Sequence, residues 1–207
     1  GALLGIIFLR KWFARIFSHF RKDLVRPLLS STFAVILTSI FGPLMLHTDT
    51  IMLGWWKGAY EIGIYSAAQK IVFLLIVLPE VLSITLFPLL SRLAKDGSSD
   101  ATKRLIERSL SLLFLIAFPL VIGGIVLARP LLLFMYGSEF TASVLPLQIL
   151  LFSLLWMFPS RIIHNLVFTR NRLKSITLFA GIGASVNVSL NILLIPLYGA
   201  VGSAIAT

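Results

Sequence analysis

Apolar runs of 18 or more residues recur along this chain, and the connections between them are alternately rich and poor in bases. A run of that length crosses ~30 Å of hydrocarbon at ~1.5 Å of helical rise per residue. Lipid offers no partners to peptide groups, so such runs must satisfy their own backbone, as helices do. Composition agrees: 58% of the 207 residues are hydrophobic and 13% charged, with a mean hydropathy of +0.99. A soluble core of this size cannot hide so much apolar surface. The sequence describes an all-α integral membrane protein, a polytopic helix bundle.

The bases set its orientation. Of 18 Lys and Arg, six fall in 10–26, five in 92–108 and four in 161–174, leaving only Lys57, Lys70 and Arg129 elsewhere. Cytoplasmic connections carry the excess of Lys and Arg, which places those three stretches inside a multi-pass protein of the cell (cytoplasmic) membrane. The net charge of +10 would point to nucleic acid in a soluble protein. Here it is topological, and no nucleic-acid partner is expected.

Residues 1–9 read as the end of a preceding transmembrane helix. Residues 10–26 read as an amphipathic linker on cytoplasmic membrane lipids, with Trp12, Phe13, Ile16 and Phe20 toward the acyl chains and Lys11, Arg15 and Arg21 toward headgroups. Residues 27–207 then form a partial C-terminal transmembrane lobe. Five complete spans are expected at 27–54, 60–90, 105–128, 141–164 and 175–197, and 200–207 opens another. With 1–9, that makes two truncated helices. The chain starts Gly-Ala-Leu-Leu without Met and stops inside an apolar run, as a piece of a longer protein would. Prolines within the spans, among them Pro79, Pro119 and Pro159, predict kinks whose freed carbonyls need neighbours or water, and broken helices around a wet cavity. Ala180, Gly181, Ala184 and Ser185 offer a small-residue packing face.

Charges at membrane depth narrow the chemistry. Asp49 lies roughly 7–8 Å below the outer end of its span, and Lys70 roughly 15 Å down the next. Unpaired, each costs about 2.5–3.5 kcal/mol at the bilayer centre. The flexible lysine stem lets the two meet, either as a structural ion pair or as a cation site and a base facing an anionic substrate. Glu80, following Pro79, is the deepest acid and suits either proton coupling or pairing with a base elsewhere. Arg161, just past Pro159, suits either anion binding at a cavity floor or snorkelling to the interface. Asn187 and Asn191, four apart, fit interhelical hydrogen bonding. His47 near Asp49 reads as a packing residue. The chain has no cysteine, no clustered histidines, no glycine-rich phosphate loop and no nucleophile–base spacing. Neither a metal site nor a cofactor is expected.

Several stretches resemble one family. Asp49-Thr-Ile-Met-Leu-Gly54 and Ile62-Gly-Ile-Tyr-Ser-Ala-Ala-Gln-Lys-Ile71 resemble the seventh and eighth helices of polysaccharide flippases. Leu86-Phe-Pro-Leu-Leu-Ser91 is similar to their eighth-helix exit, and Ala128-Arg-Pro with Tyr136-Gly-Ser-Glu-Phe140 to the loop after the ninth. Asn191-Ile-Leu-Leu-Ile-Pro-Leu-Tyr-Gly-Ala-Val-Gly-Ser-Ala-Ile-Ala-Thr207 is similar to a family passage in which Ala stands at the place of Ser203. The family is the oligosaccharide-flippase branch of the multidrug/oligosaccharidyl-lipid/polysaccharide exporter superfamily.

The resemblance implies half of a two-lobed transporter with twelve or more helices, and a V-shaped cavity between the lobes. It implies a lipid-linked oligosaccharide as cargo and a missing N-terminal lobe as partner. Lys70 and Arg161 then become candidates for attracting pyrophosphate, and Asp49 and Glu80 candidates for a coupling ion, H+ or Na+. Two rivals stand beside it. A drug/cation antiporter of the same superfamily would favour acids and aromatics in the cavity. A membrane enzyme of polysaccharide assembly needs a large outer loop, and the outer connections at 54–59, 129–140 and 197–199 are too short for one.

Overall fold

The computed structural model describes residues 32–33, 36, 39–40, 47–95, 99–169 and 173–207. The 1–9 and 10–26 segments and much of the 27–54 span lie outside the described residues. Helix α1 covers 47–56, α2 Ala59–Lys95, α3 Ser99–Tyr136, α4 Val144–Thr169 and α5 Leu173–Ala206. A 3-10 helical turn, Ser138–Ser143, joins α3 to α4. Four stretches, Ala59–Leu93, Asp100–Tyr136, Ser138–Thr169 and Ser175–Ala206, are long and apolar enough to cross a membrane. The described residues form no strand: this is an all-α, polytopic membrane protein.

Two glycine turns set the first connections. The Leu53 carbonyl accepts the N–H groups of Lys57 and Gly58 at 2.8 and 3.2 Å. Gly58, at φ +85°, adopts the left-handed conformation that ends helices, and α2 starts at the next residue. Gly137, also at φ +85°, ends α3 eight residues beyond the 105–128 span expected from sequence. Pro130 removes one hydrogen bond without stopping the helix, because 131–136 stays apolar and Leu132 is fully buried. The expected outer connection at 129–140 shrinks accordingly.

The helices continue through Pro79, Pro88, Pro119, Pro130 and Pro159. Helical backbone is interrupted instead at Gly199, with φ 56° and ψ −130°. Beyond it the chain reverses. Asn187 Nδ2 donates to the Ala206 carbonyl at 3.1 Å, although a continuous helix would put 19 residues, about 28 Å, between them. Residues 200–206 thus lie folded back on the body of α5. Gly202 makes this possible, since a Cβ there would overlap the Leu194 carbonyl. Glu61 of α2 caps the returning segment, its Oε2 accepting the Ala200 N–H at 2.7 Å.

α4 is the central element, packing on α2, α3 and α5. Leu147, Leu150, Leu151, Leu154, Phe158 and Ile162 form its buried stripe. Across from it lie Ala67, Ala68, Ala117 and Ala128, all buried, and a Cβ on Gly124 would press on Leu151. Small residues permit this approach, and packing rather than hydrophobic transfer drives it in lipid. Leu74, Val81, Ile122, Val126 and Phe179 stay exposed, as lipid-facing side chains do. On α5 the packed face runs through Ala184, Asn187, Asn191 and Ile195. Of the small-residue face expected there, Ala184 is buried, while Ser185 is exposed and donates to its own helix at Gly181.

Replacing Gly202 by Ala is expected to force the hairpin apart, costing about 1–3 kcal/mol. Gly123→Ala, with open space around the new methyl group, should be neutral or gain up to about 1 kcal/mol. Thermal unfolding of the purified variants in detergent checks the contrast.

Candidate functional site

The polar residues that these helices carry into the membrane gather at two places. The first surrounds Asp49, which is 1% exposed. Its Oδ1 accepts Asn191 Nδ2 at 2.5 Å. Its Oδ2 accepts the Tyr65 hydroxyl at 2.8 Å and the Thr207 hydroxyl at 2.9 Å. These donors come from α2, the body of α5 and the end of its returning segment, so one carboxylate ties α1 to three other stretches of chain. Asn191 Nδ2 also reaches Asn187 Oδ1 at 3.2 Å. Hydrogen bonds of this kind offset the large cost of a buried carboxylate.

Among the described residues no Lys or Arg pairs with Asp49. The ion pair with Lys70 that the sequence allowed does not form. Neutral donors take up the carboxylate instead, and Lys70 is exposed. The residue before it, Gln69, shares a cavity of about 250 Å³ with Asp49, Tyr65, Ser153, Asn187 and Thr207. One residue along a helix turns the side chain by about 100°, enough to carry Lys70 out of that wall. Asn191 Oδ1 and Ser203 Oγ are buried, with no hydrogen-bond partner of good geometry among the described residues. His47 is exposed and has no part in the cluster.

The second place joins Glu80 of α2 to Arg161 of α4, with Oε2 and Nε 3.4 Å apart. A cavity of about 400 Å³ opens there, lined by both residues with Ser83, Ser160, His164 and Asn165. Asn165 Nδ2 donates to Ser83 Oγ at 2.6 Å and to the Ser83 carbonyl at 3.0 Å, and Ser83 Oγ donates to the Arg161 carbonyl at 3.3 Å. Glu80 and Arg161, read separately from sequence, are thus brought together; Asp49 and Lys70, read together, are not.

Met157 lines both cavities, which places them end to end. On α2 the lining residues recur as Tyr65, Gln69, Val72, Ile76, Glu80 and Ser83, a single face. From Tyr65 to Ser83 that face covers about 27 Å of helical rise, close to the thickness of the hydrocarbon. Sequence reading missed Tyr65, Gln69, Ser203, Thr207, Ser83, His164 and Asn165. A signal existed: Tyr65/Gln69, Asn187/Asn191, Ser203/Thr207 and Arg161/Asn165 are polar pairs four residues apart in apolar helices, so each marks one face. The described residues hold no cluster of three or more His, Cys, Asp or Glu fit for a metal ion.

Residues 2–145 match the family model described as "Polysaccharide biosynthesis protein". "Probable flippase AglR" of Haloferax volcanii is 29% identical over 164 residues, covering 77% of this chain and 34% of that protein. "Uncharacterized membrane protein MJ1068" of Methanocaldococcus jannaschii is 26% identical over 209 residues, 99% of this chain and 41% of that protein. "Probable low-salt glycan biosynthesis flippase Agl15" of H. volcanii is 24% identical over 172 residues, 83% of this chain and 36% of that protein. The chain thus spans well under half the length of these relatives. No solved structure matches it.

Asn191→Ala removes the only donor to Asp49 Oδ1 among the described residues and should cost about 1–3 kcal/mol. Tyr65→Phe leaves Thr207 on Oδ2 and should cost about 1 kcal/mol or less. Unfolding midpoints in detergent should rank native above Tyr65→Phe above Asn191→Ala.

Proposed function

The chain belongs to the polysaccharide biosynthesis protein family, and on that premise we propose that it forms part of a flippase. The flippase carries a lipid-linked oligosaccharide from the inner to the outer leaflet of the cytoplasmic membrane. Such cargo has a sugar and a phosphate that hydrocarbon rejects and a lipid tail that it accepts. Passage therefore needs a polar track open along one side. One face of α2 and α4 lines both cavities, and this face is the observation that carries this reading. It is polar at the Asp49 cluster and at the Glu80–Arg161 pair, and apolar between them at Val72, Phe73, Ile76 and Leu150. The names of AglR and Agl15 support it.

Transport calls for a source of direction and for a base, and the candidate base stands off the face that lines the two cavities. Lys70, exposed at membrane depth and unpaired among the described residues, is costly against lipid. Facing water between two lobes it meets the phosphates of the cargo. Asp49 supplies direction. It is a buried acid with no paired base among the described residues, near Asn191 Oδ1 and Ser203 Oγ, a set of oxygens suited to a hard cation. Na+ or H+ taken up there favours one arrangement of the lobes, and its release favours the other, which is alternating access.

Deleting the gene is expected to make cells accumulate lipid-linked oligosaccharide on the cytoplasmic face and lose the finished glycan outside. Lys70→Gln should reproduce the loss in protein that still reaches the membrane at the native level. Normal glycan export by that variant would remove Lys70 from the role, and drug sensitivity without glycan loss on deletion would favour the antiporter.

A further inference from the structure

The cavity between Glu80 and Arg161 combines a loose ion pair with a rigid frame. Arg161 approaches Glu80 through Nε alone, at 3.4 Å, and both side chains keep 42–46% of their exposure. Exposed pairs of this geometry are weak. The two Nη groups of Arg161 take no partner among the described residues, although a guanidinium offers its donors as a planar fork that fits phosphate oxygens. The backbone beneath is held, because Ser83 Oγ donates to the Arg161 carbonyl while Asn165 grips Ser83. His164 and Ser160 add polar groups on the same rim. α4 ends at Thr169, about 12 Å past Arg161. The bases Arg170, Arg172 and Lys174 follow in sequence, so this end faces the cytoplasmic leaflet.

We propose that this cavity captures a lipid-borne phosphate or pyrophosphate ester from the inner leaflet, with Glu80 as the exchangeable counter-ion of Arg161. While the cavity is empty, Glu80 neutralises the guanidinium in a medium where a bare charge is costly. An arriving pyrophosphate carries more charge and more oxygens than one carboxylate, so it takes the guanidinium fork and displaces Glu80. Repulsion between Glu80 and the bound phosphate then limits how tightly the cargo is held. The identity of the ligand as a polyprenyl pyrophosphate rests on the flippase reading; the preference for phosphate rests on the cavity alone.

The sign of the Glu80 effect separates this role from a structural tie between α2 and α4. The purified protein, in nanodiscs of phosphatidylcholine, is titrated with undecaprenyl pyrophosphate, and binding is followed by microscale thermophoresis. Glu80→Gln is expected to tighten binding by about three- to tenfold, and Arg161→Gln to weaken it by about tenfold or more. Arg161→Lys, which keeps the charge but loses the fork, should fall between. Melting midpoints in the same nanodiscs identify any variant that fails to fold, in which case the Arg161→Lys and Glu80→Gln pair decides. Replacing phosphatidylcholine by phosphatidylglycerol tests the source: abolition of the Arg161-dependent signal assigns the site to bulk phospholipid, and its survival assigns it to the polyprenyl carrier. Either result keeps the phosphate site. Binding weakened equally by Glu80→Gln and Arg161→Gln, or moved by neither, overturns it. Opposite shifts in a protein whose deletion leaves glycan export intact would instead keep the site and remove the flippase reading.

Discussion

A single buried carboxylate organises this bundle. Asp49 sits on α1, and its three donors, Tyr65, Asn191 and Thr207, sit on α2, on α5 and at the end of the returning segment. In lipid, apolar side chains gain little by exchanging acyl chains for one another, so helix association leans on close packing and polar contacts. A carboxylate that must be solvated by protein is the most demanding of those contacts. Its demand explains the reversal at Gly199. Only a folded-back segment brings Thr207 beside Asn191, and only glycine at 202 lets that segment lie against the Leu194 carbonyl.

The same demand connects structure to transport. The hydroxyl and amide donors hold the carboxylate without supplying a positive charge, so the cluster stays electrically open. About 22 Å away along the same face of α2, the Glu80–Arg161 pair is its opposite: charge-balanced, half exposed and loosely joined. Met157 borders both cavities, and its flexible thioether can repack as either one changes volume. On the proposed roles, a buried acid that takes up a cation and a paired base that takes up an anion share one groove. An event at one end has a short mechanical route to the other.

Much of this was legible in the sequence. Long apolar runs gave the fold class and the helices. The turn at 197–199 marked the reversal, and Asp49, Glu80 and Arg161 stood out as charges in apolar surroundings. What the sequence left open was angular. Whether Gln69 or Lys70 faces Asp49 depends on a rotation of about 100°, which hydropathy does not record. The polar pairs four residues apart do record it, and read together they define the face. Ser203 appeared only as a departure from a family pattern; in the fold it is fully buried beside the Asp49 cluster. At the prolines of α2, α3 and α4 the helical backbone runs on, and in α5 it is interrupted at Gly199, three residues after Pro196.

If cation binding at Asp49 gives the carrier its direction, then removing that charge should uncouple it without unfolding it. The direct measurement is movement of a fluorescent lipid-linked oligosaccharide across proteoliposomes under an imposed Na+ or proton gradient, comparing native protein with Asp49→Asn. Native protein is expected to move cargo faster with one gradient and slower with its reverse, and the variant, folded by its melting profile, to ignore both. Gradient-driven movement that survives in Asp49→Asn would contradict the account.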